Sequence, residues 1–302
     1  MRESRRFAPW LMTGMGGVLG LGMAAQPPQA IHVIAGQMRP PAWPVTPAVR
    51  VNLAASGELA RIMGELRPGV VIHAACVSRA ADCEQQPHHA DLVNIQAVEE
   101  LLASAVFADS FVVYVSTEQV FDGYAERYFE DSPVSPRTVY GSTKAAAERR
   151  VLEFGGAVVR LPLLLGGAAG SGRMCADTAV VQAVQSGQTM SLFTDEIRTP
   201  VHVDFVAPMF EKIARERRGG IFHLAGAQAV SRFDLGRRAC EAAGIKPNFQ
   251  ASLAADFDGP PRSLRLELDC GRAIKELGWQ PPDLRQSLDR TFATPVRTVA
   301  KD

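Results

Sequence analysis

The chain carries no surplus of either charge: Lys and Arg total 32, and Asp and Glu total 32. Binding a nucleic-acid backbone or an anionic bilayer by electrostatics needs a cationic excess, so neither partner is expected. Cysteine is sparse. Cys76, Cys83, Cys175, Cys240 and Cys270 are odd in number, scattered, and form no C-x-x-C. Reduced structural thiols and a cytoplasmic location follow as the expectation. The six histidines show no metal-ligand spacing, and His88 and His89 are adjacent, so they point apart; no metal is expected. No run reaches the ~18 uninterrupted apolar residues of a membrane span. Ser4-Arg5-Arg6 before the apolar stretch 8–25 has the outline of an export signal. Cleavage there would remove a glycine turn that the later motifs require, so a first strand and helix is the preferred reading.

What is present is a core: 47% of the 302 residues are hydrophobic, enough for one large domain or a domain with a smaller partner. Buried-strand runs recur at 7–12, 30–35, 51–53, 70–75, 111–115 and 157–161. Helical patterns lie between them, at 57–66 and 87–104, and a third starts at Tyr140. This alternation predicts a parallel sheet covered by helices on both faces. Ligands in such sheets bind beyond the carboxyl ends of the strands. Past residue 166 short elements alternate with turns, and Gly220-Ile-Phe-His-Leu224 reads as a strand that rejoins the main sheet.

After the first strand comes Thr13-Gly-Met-Gly-Gly-Val-Leu-Gly20. Glycines at 14, 17 and 20 let a pyrophosphate approach backbone N–H groups and the positive end of a helix. Gly16, Val18 and Leu19 complete the turn. No Asp or Glu occurs from residue 27 to 57, so an acidic clamp on a ribose 2′-hydroxyl is missing. Arg39 is the candidate for a 2′-phosphate, which predicts NADP(H) with NAD(H) as the alternative; a solvated loop arginine is the bland reading. Ala74 and Ala75, small and at a strand end, suit close passage of a cofactor.

Tyr140 and Lys144 are four residues apart before a run of helix formers, so they share a face. A cation near a phenol lowers its pKa, and such a pair can move a proton at a reacting oxygen. Thr117, at the end of the 111–115 strand, can hydrogen-bond a substrate carbonyl. Arg198 and Arg160 are candidates for a diphosphate, because a guanidinium fork matches phosphate oxygens. Arg262 and Arg265 are further candidates, and a fold-stabilising ion pair is the competing reading for each.

Taken together, T-G-M-G-G-V-L-G at 13–20, H-A-A at 73–75, V-N at 93–94, V-S-T-E-Q-V-F-D-G at 115–123 and Y-G-S-T-K at 140–144 resemble the extended short-chain dehydrogenase/reductases. The runs at 160–166, 195–203, 222–226 and 231–235 are similar to the dTDP-4-dehydrorhamnose reductase branch of sugar-nucleotide-binding proteins. The resemblance implies a Rossmann-type, doubly wound α/β sheet over 1–165, completed by a strand near 220–225, with a substrate lobe mainly in 166–302. It implies Tyr140 as proton donor, Lys144 as ribose ligand and modulator, and Thr117 on the substrate oxygen. Leu163, with Ala74 and Ala75, would flank the cofactor. Asn52, where the family carries Asp, and Leu53 would lie at its adenine end. Cys76 and Glu118 would face the substrate, and Asn94 would order the active-site helix.

The expected function is therefore an NADP-dependent reductase of a nucleotide-linked 4-keto sugar or a similar small ketone, with a homodimer as a candidate assembly. Two alternatives stand beside it: an epimerase or dehydratase that retains its cofactor, and a dinucleotide-binding regulatory subunit without turnover.

Overall fold

The Val112-Val-Tyr-Val115 run alternates its side chains between two covered faces, which is why it is apolar throughout rather than at every second residue. It lies near the middle of a seven-stranded sheet. The computed structural model describes residues 8–25, 31–35, 48–166 and 174–292. The strands are β1 (Trp10–Thr13), β2 (Ile31–Ala35), β3 (Ala48–Val49), β4 (Val70–His73), β5 (Phe111–Thr117) and β6 (Ala157–Leu161), with Gly220–His223 added outside β6. Their spatial order is β3-β2-β1-β4-β5-β6 and then Gly220–His223, and every neighbouring pair is parallel. The chain reverses its direction of travel between β1 and β4, so a crevice opens there beyond the strand ends.

One face packs Met12, Ile72, Val113, Val159 and Phe222 against Val206, Phe210 and Ile213 of the helix Val203–Glu216. The helix α1 (Val18–Ala25) adds Leu19 and Met23. The other face packs Leu11, Val71, Val112, Tyr114 and Val158 under α2 (Glu58–Leu66), α5 (Ala97–Ala108) and α6 (Val139–Glu153). Burying each such side chain contributes about 1.5–3 kcal/mol, so the two layers hold the sheet rigid beneath the crevice.

The predicted 87–104 helix is interrupted. α3 (Ala80–Gln85) and α4 (Pro87–Asp91) precede a π-helical turn at Leu92–Gln96, and α5 follows. The turn carries Asn94 inward, where its side chain holds the Val77 backbone and Thr143; such extra-residue turns re-aim side chains. The predicted strand at 51–53 is a loop, and the edge strand lies at Ala48–Val49 instead. Pro9 falls before β1, where its carbonyl accepts from Gly69 N–H at 2.9 Å and its missing donor costs nothing. The segment 197–202 forms two short strands, Ile197–Arg198 and Val201–His202.

A separate apolar cluster, including Val180, Leu192, Leu235, Ala239 and Leu288, joins the helices Ala176–Gln185, Arg232–Ala242 and Leu284–Phe292. These elements stand over the carboxyl ends of the sheet. Among the described residues no helix is long and apolar enough to cross a membrane.

Candidate active site

A cleft of about 680 Å³ runs along the carboxyl ends of β1, β4, β5 and β6. Gly14, Gly16, Gly17, Val18, Leu19, Leu53, Ala74, Ala75, Cys76, Thr117, Glu118, Tyr140 and Leu163 all line it. Arg39 lies outside the described residues. Asn52 is exposed and its Oδ1 accepts from Ala54 N–H at 3.1 Å, so it shapes the turn whose neighbours Val51 and Leu53 reach the cleft.

The glycine turn is built tightly. Gly14 has φ +79°, and a Cβ there would stand 2.5 Å from Ala75 N and 2.6 Å from the Ala74 carbonyl carbon. Gly17 N–H donates to the Gly14 carbonyl at 2.9 Å and leads into α1. Gly20 abuts the Met15 backbone, where a Cβ would meet it at 2.5 Å. The result is a side-chain-free cradle at a helix N-terminus, at the point where the sheet reverses. Its bare backbone and helix dipole fit a dinucleotide pyrophosphate.

α6 begins with Thr138, whose hydroxyl accepts from Gly141 N–H at 3.0 Å. Gly141 allows close packing: a Cβ there would collide with the Gln119 carbonyl. That approach brings Tyr140 to the cleft wall that Thr117 also lines. Burial pushes the Tyr140 hydroxyl well above its usual range; the neighbouring Cys76 adds to this and Thr117 opposes it.

Lys144 is not on the cleft wall. It is buried below the floor, and its Nζ donates to the Val115 carbonyl at 2.6 Å. The expected lowering of the phenol by the ammonium is thus not what sets Tyr140 in this state. Burial also pushes Lys144 below its usual value, against the pull of Cys76 and Glu148.

A second cavity of about 320 Å³ shares Arg79, Glu118, Gln119 and Leu163 with the cleft and adds Glu196, Arg198, Arg232 and Arg262. Glu118 is raised to about 8 because burial outweighs its single ion pair with Arg198. Burial also acts to raise Glu196, yet Arg198, Arg262 and Arg232 together hold it below its usual value. Arg198 Nη2 reaches Glu196 at 3.2 Å, and Arg262 pairs closely with the same carboxylate. Arg160 is elsewhere: it forks onto Glu148 at 2.8–3.2 Å, with both side chains buried beneath α6, so the diphosphate role expected of it is corrected. Arg265 instead pairs with Glu267. Sequence reading did not single out Arg232, Glu196 or Arg79. All three line the second cavity, and only their joint position reveals them.

Fold and site define a dinucleotide-binding α/β protein of the extended short-chain dehydrogenase/reductase type. The chain belongs to the family described as the RmlD substrate binding domain, which matches residues 9–296. The methionine adenosyltransferase 2 subunit beta of Xenopus tropicalis is 30% identical over 251 residues, covering 79% of this chain and 75% of that protein. The probable low-salt glycan biosynthesis reductase Agl14 of Haloferax volcanii is 27% identical over 286 residues, covering 92% and 95%. Among solved structures, dTDP-4-dehydrorhamnose reductase from Bacillus anthracis in complex with NADP superposes with TM-score 0.82 at 20% identity, covering 95% of this chain and 99% of that one.

Proposed function

We propose that the chain is a cytoplasmic NADP-dependent reductase acting on the carbonyl of a nucleotide-linked 4-keto sugar. The observation that carries this reading is that Thr117 and Tyr140 line the same cleft as the glycine cradle. Gly14, Gly16, Gly17, Ala74 and Ala75 hold the dinucleotide, and bound there its reduced nicotinamide supplies a hydride. Tyr140, kept protonated by burial, gives its proton to the carbonyl oxygen. Thr117 orients that oxygen and stabilises the charge building on it. Lys144, below the floor, supplies positive potential beneath the bound cofactor. In the adjoining cavity, three arginines against Glu196 and a largely protonated Glu118 leave net positive charge for the anionic part of the substrate. The sheet through residue 165, with Gly220–His223, is the cofactor domain, and the remainder is the substrate lobe. The Haloferax relative is named as a reductase and the Bacillus structure holds NADP, and both support the reading.

A second reading rests on the Xenopus relative, which is named as a subunit of another enzyme: a chain that binds dinucleotide to regulate a partner. Incubation with NADPH and a dTDP-4-keto-6-deoxy sugar separates the two. Loss of NADPH absorbance that is abolished in Tyr140→Phe is the expected result. Tight NADPH binding with no turnover on any keto sugar nucleotide would favour the regulatory subunit.

A further inference from the structure

Lys144 has an aromatic partner. Its Nζ lies 4.0 Å from the centroid of the Tyr114 ring while donating to the Val115 carbonyl. Tyr114 and His73 are register partners on β5 and β4, so both point to the face beneath α6. Their rings stack at 6.0 Å with 13° between planes. His73 is anchored in turn: its Nδ1 shares a hydrogen bond with Thr13 Oγ1 at 2.9 Å, and Ala75 N–H donates to the same oxygen at 3.3 Å. Burial and the nearby Lys144 hold His73 down to about 3, so it stays neutral and does not repel the ammonium.

A buried ammonium needs compensation. Glu148, one turn along α6, is already forked by Arg160. The Tyr114 hydroxyl is buried and has no hydrogen-bond partner among the described residues. What Tyr114 offers is therefore its ring face, which attracts a cation through the π quadrupole.

We propose that Tyr114 is a positioning residue: its ring face, backed by His73, and the Val115 carbonyl hold the Lys144 ammonium charged beneath the cleft floor, where its positive potential acts on a bound dinucleotide. That a dinucleotide is what it acts on rests on the function proposed above; the hold on Lys144 does not. The titratable groups facing the ammonium are His73 from β4, Cys76 after it, Tyr114 from β5, and Glu148 on α6 itself.

The chain has five lysines, so the ε-carbon resonances of ¹³C-lysine-labelled protein can be followed individually, with Lys144→Arg assigning the one of interest. The measurement is the titration midpoint of Lys144 in cofactor-free protein. Tyr114→Phe keeps the ring and is expected to titrate with the wild type. Tyr114→Leu and Tyr114→Met are expected about 0.5–1.5 units lower; the second variant serves if the first does not fold. Midpoints unchanged in both, or a shift as large in Tyr114→Phe, would overturn the proposal. In a parallel fluorescence titration, Tyr114→Leu is expected to bind NADPH about 3- to 10-fold more weakly, following the size of a cation–π contact, with Tyr114→Phe unaffected. Wild-type protein that bound no NADPH would overturn the function proposed above and leave the lysine titration standing.

Discussion

Arg198 Nε lies 3.0 Å from Glu118 Oε1, and both side chains are buried. Glu118 follows β5 of the large sheet, while Arg198 ends the strand Ile197–Arg198 of a small sheet that also includes Arg265–Leu266. The pair joins the two halves of the molecule at the boundary of both cavities, and Arg198 is shared with Glu196.

Burial of Glu118 gives a pH signature. The folded chain holds the Glu118 proton up to about pH 8, whereas an unfolded glutamate releases it near 4.5. Between those values the folded state binds a proton that the unfolded state does not. Stability from this group is complete below the lower value and is lost as pH rises through the upper one, at up to about 1.4 kcal/mol per pH unit. Urea unfolding from pH 5 to 8 should show this slope in the wild type and a flatter one in Glu118→Gln. Parallel slopes in the two proteins would refute the assignment.

Tyr140→Phe removes only the phenol hydroxyl. Turnover of a keto sugar nucleotide should fall by about 10²–10⁴-fold. NADPH affinity, read by fluorescence, should stay within a factor of about 2, because the glycine cradle is untouched.

Gly14→Ala drives a methyl into the Ala74–Ala75 backbone at a positive φ. Strain of about 1–3 kcal/mol is expected in urea unfolding. The cradle can relieve it only by opening, so NADPH affinity should fall together with stability. Gly57→Ala also has positive φ but open space around it, and should leave NADPH affinity unchanged.

Arg160→Ala leaves Glu148 buried without its fork. A loss of about 3–5 kcal/mol is expected. Arg160→Met with Glu148→Leu should recover much of it, since the pair sits in an apolar layer beneath α6. The same double variant should keep its affinity for the keto sugar nucleotide, which sets Arg160 apart from Arg198 and Arg232.

The sheet was legible because its strands are buried on both faces and therefore read as unbroken apolar runs at 70–75, 111–115 and 157–161. The π-helical turn at Leu92–Gln96 was not legible: the family resemblance singled out Asn94, but nothing in the spacing shows the extra residue that aims it at Val77 and Thr143. The 51–53 run misled because three apolar-patterned residues suit a strand or a loop lining a cleft equally well.

The order of residues along this chain determined the alternation of strand and helix, the glycine turn at 13–20, and the chemical identity of the candidate side chains at 117, 140 and 144. Those are local properties, set by backbone freedom, periodicity and functional-group chemistry. Only the tertiary structure decided that Lys144 rests on Tyr114 below the floor, that Arg160 answers Glu148, and that Glu118 shares Arg198 with Glu196. Charge pairing depends on which distant side chains burial forces together and on how much water is left between them, and neither quantity is written in the spacing of residues.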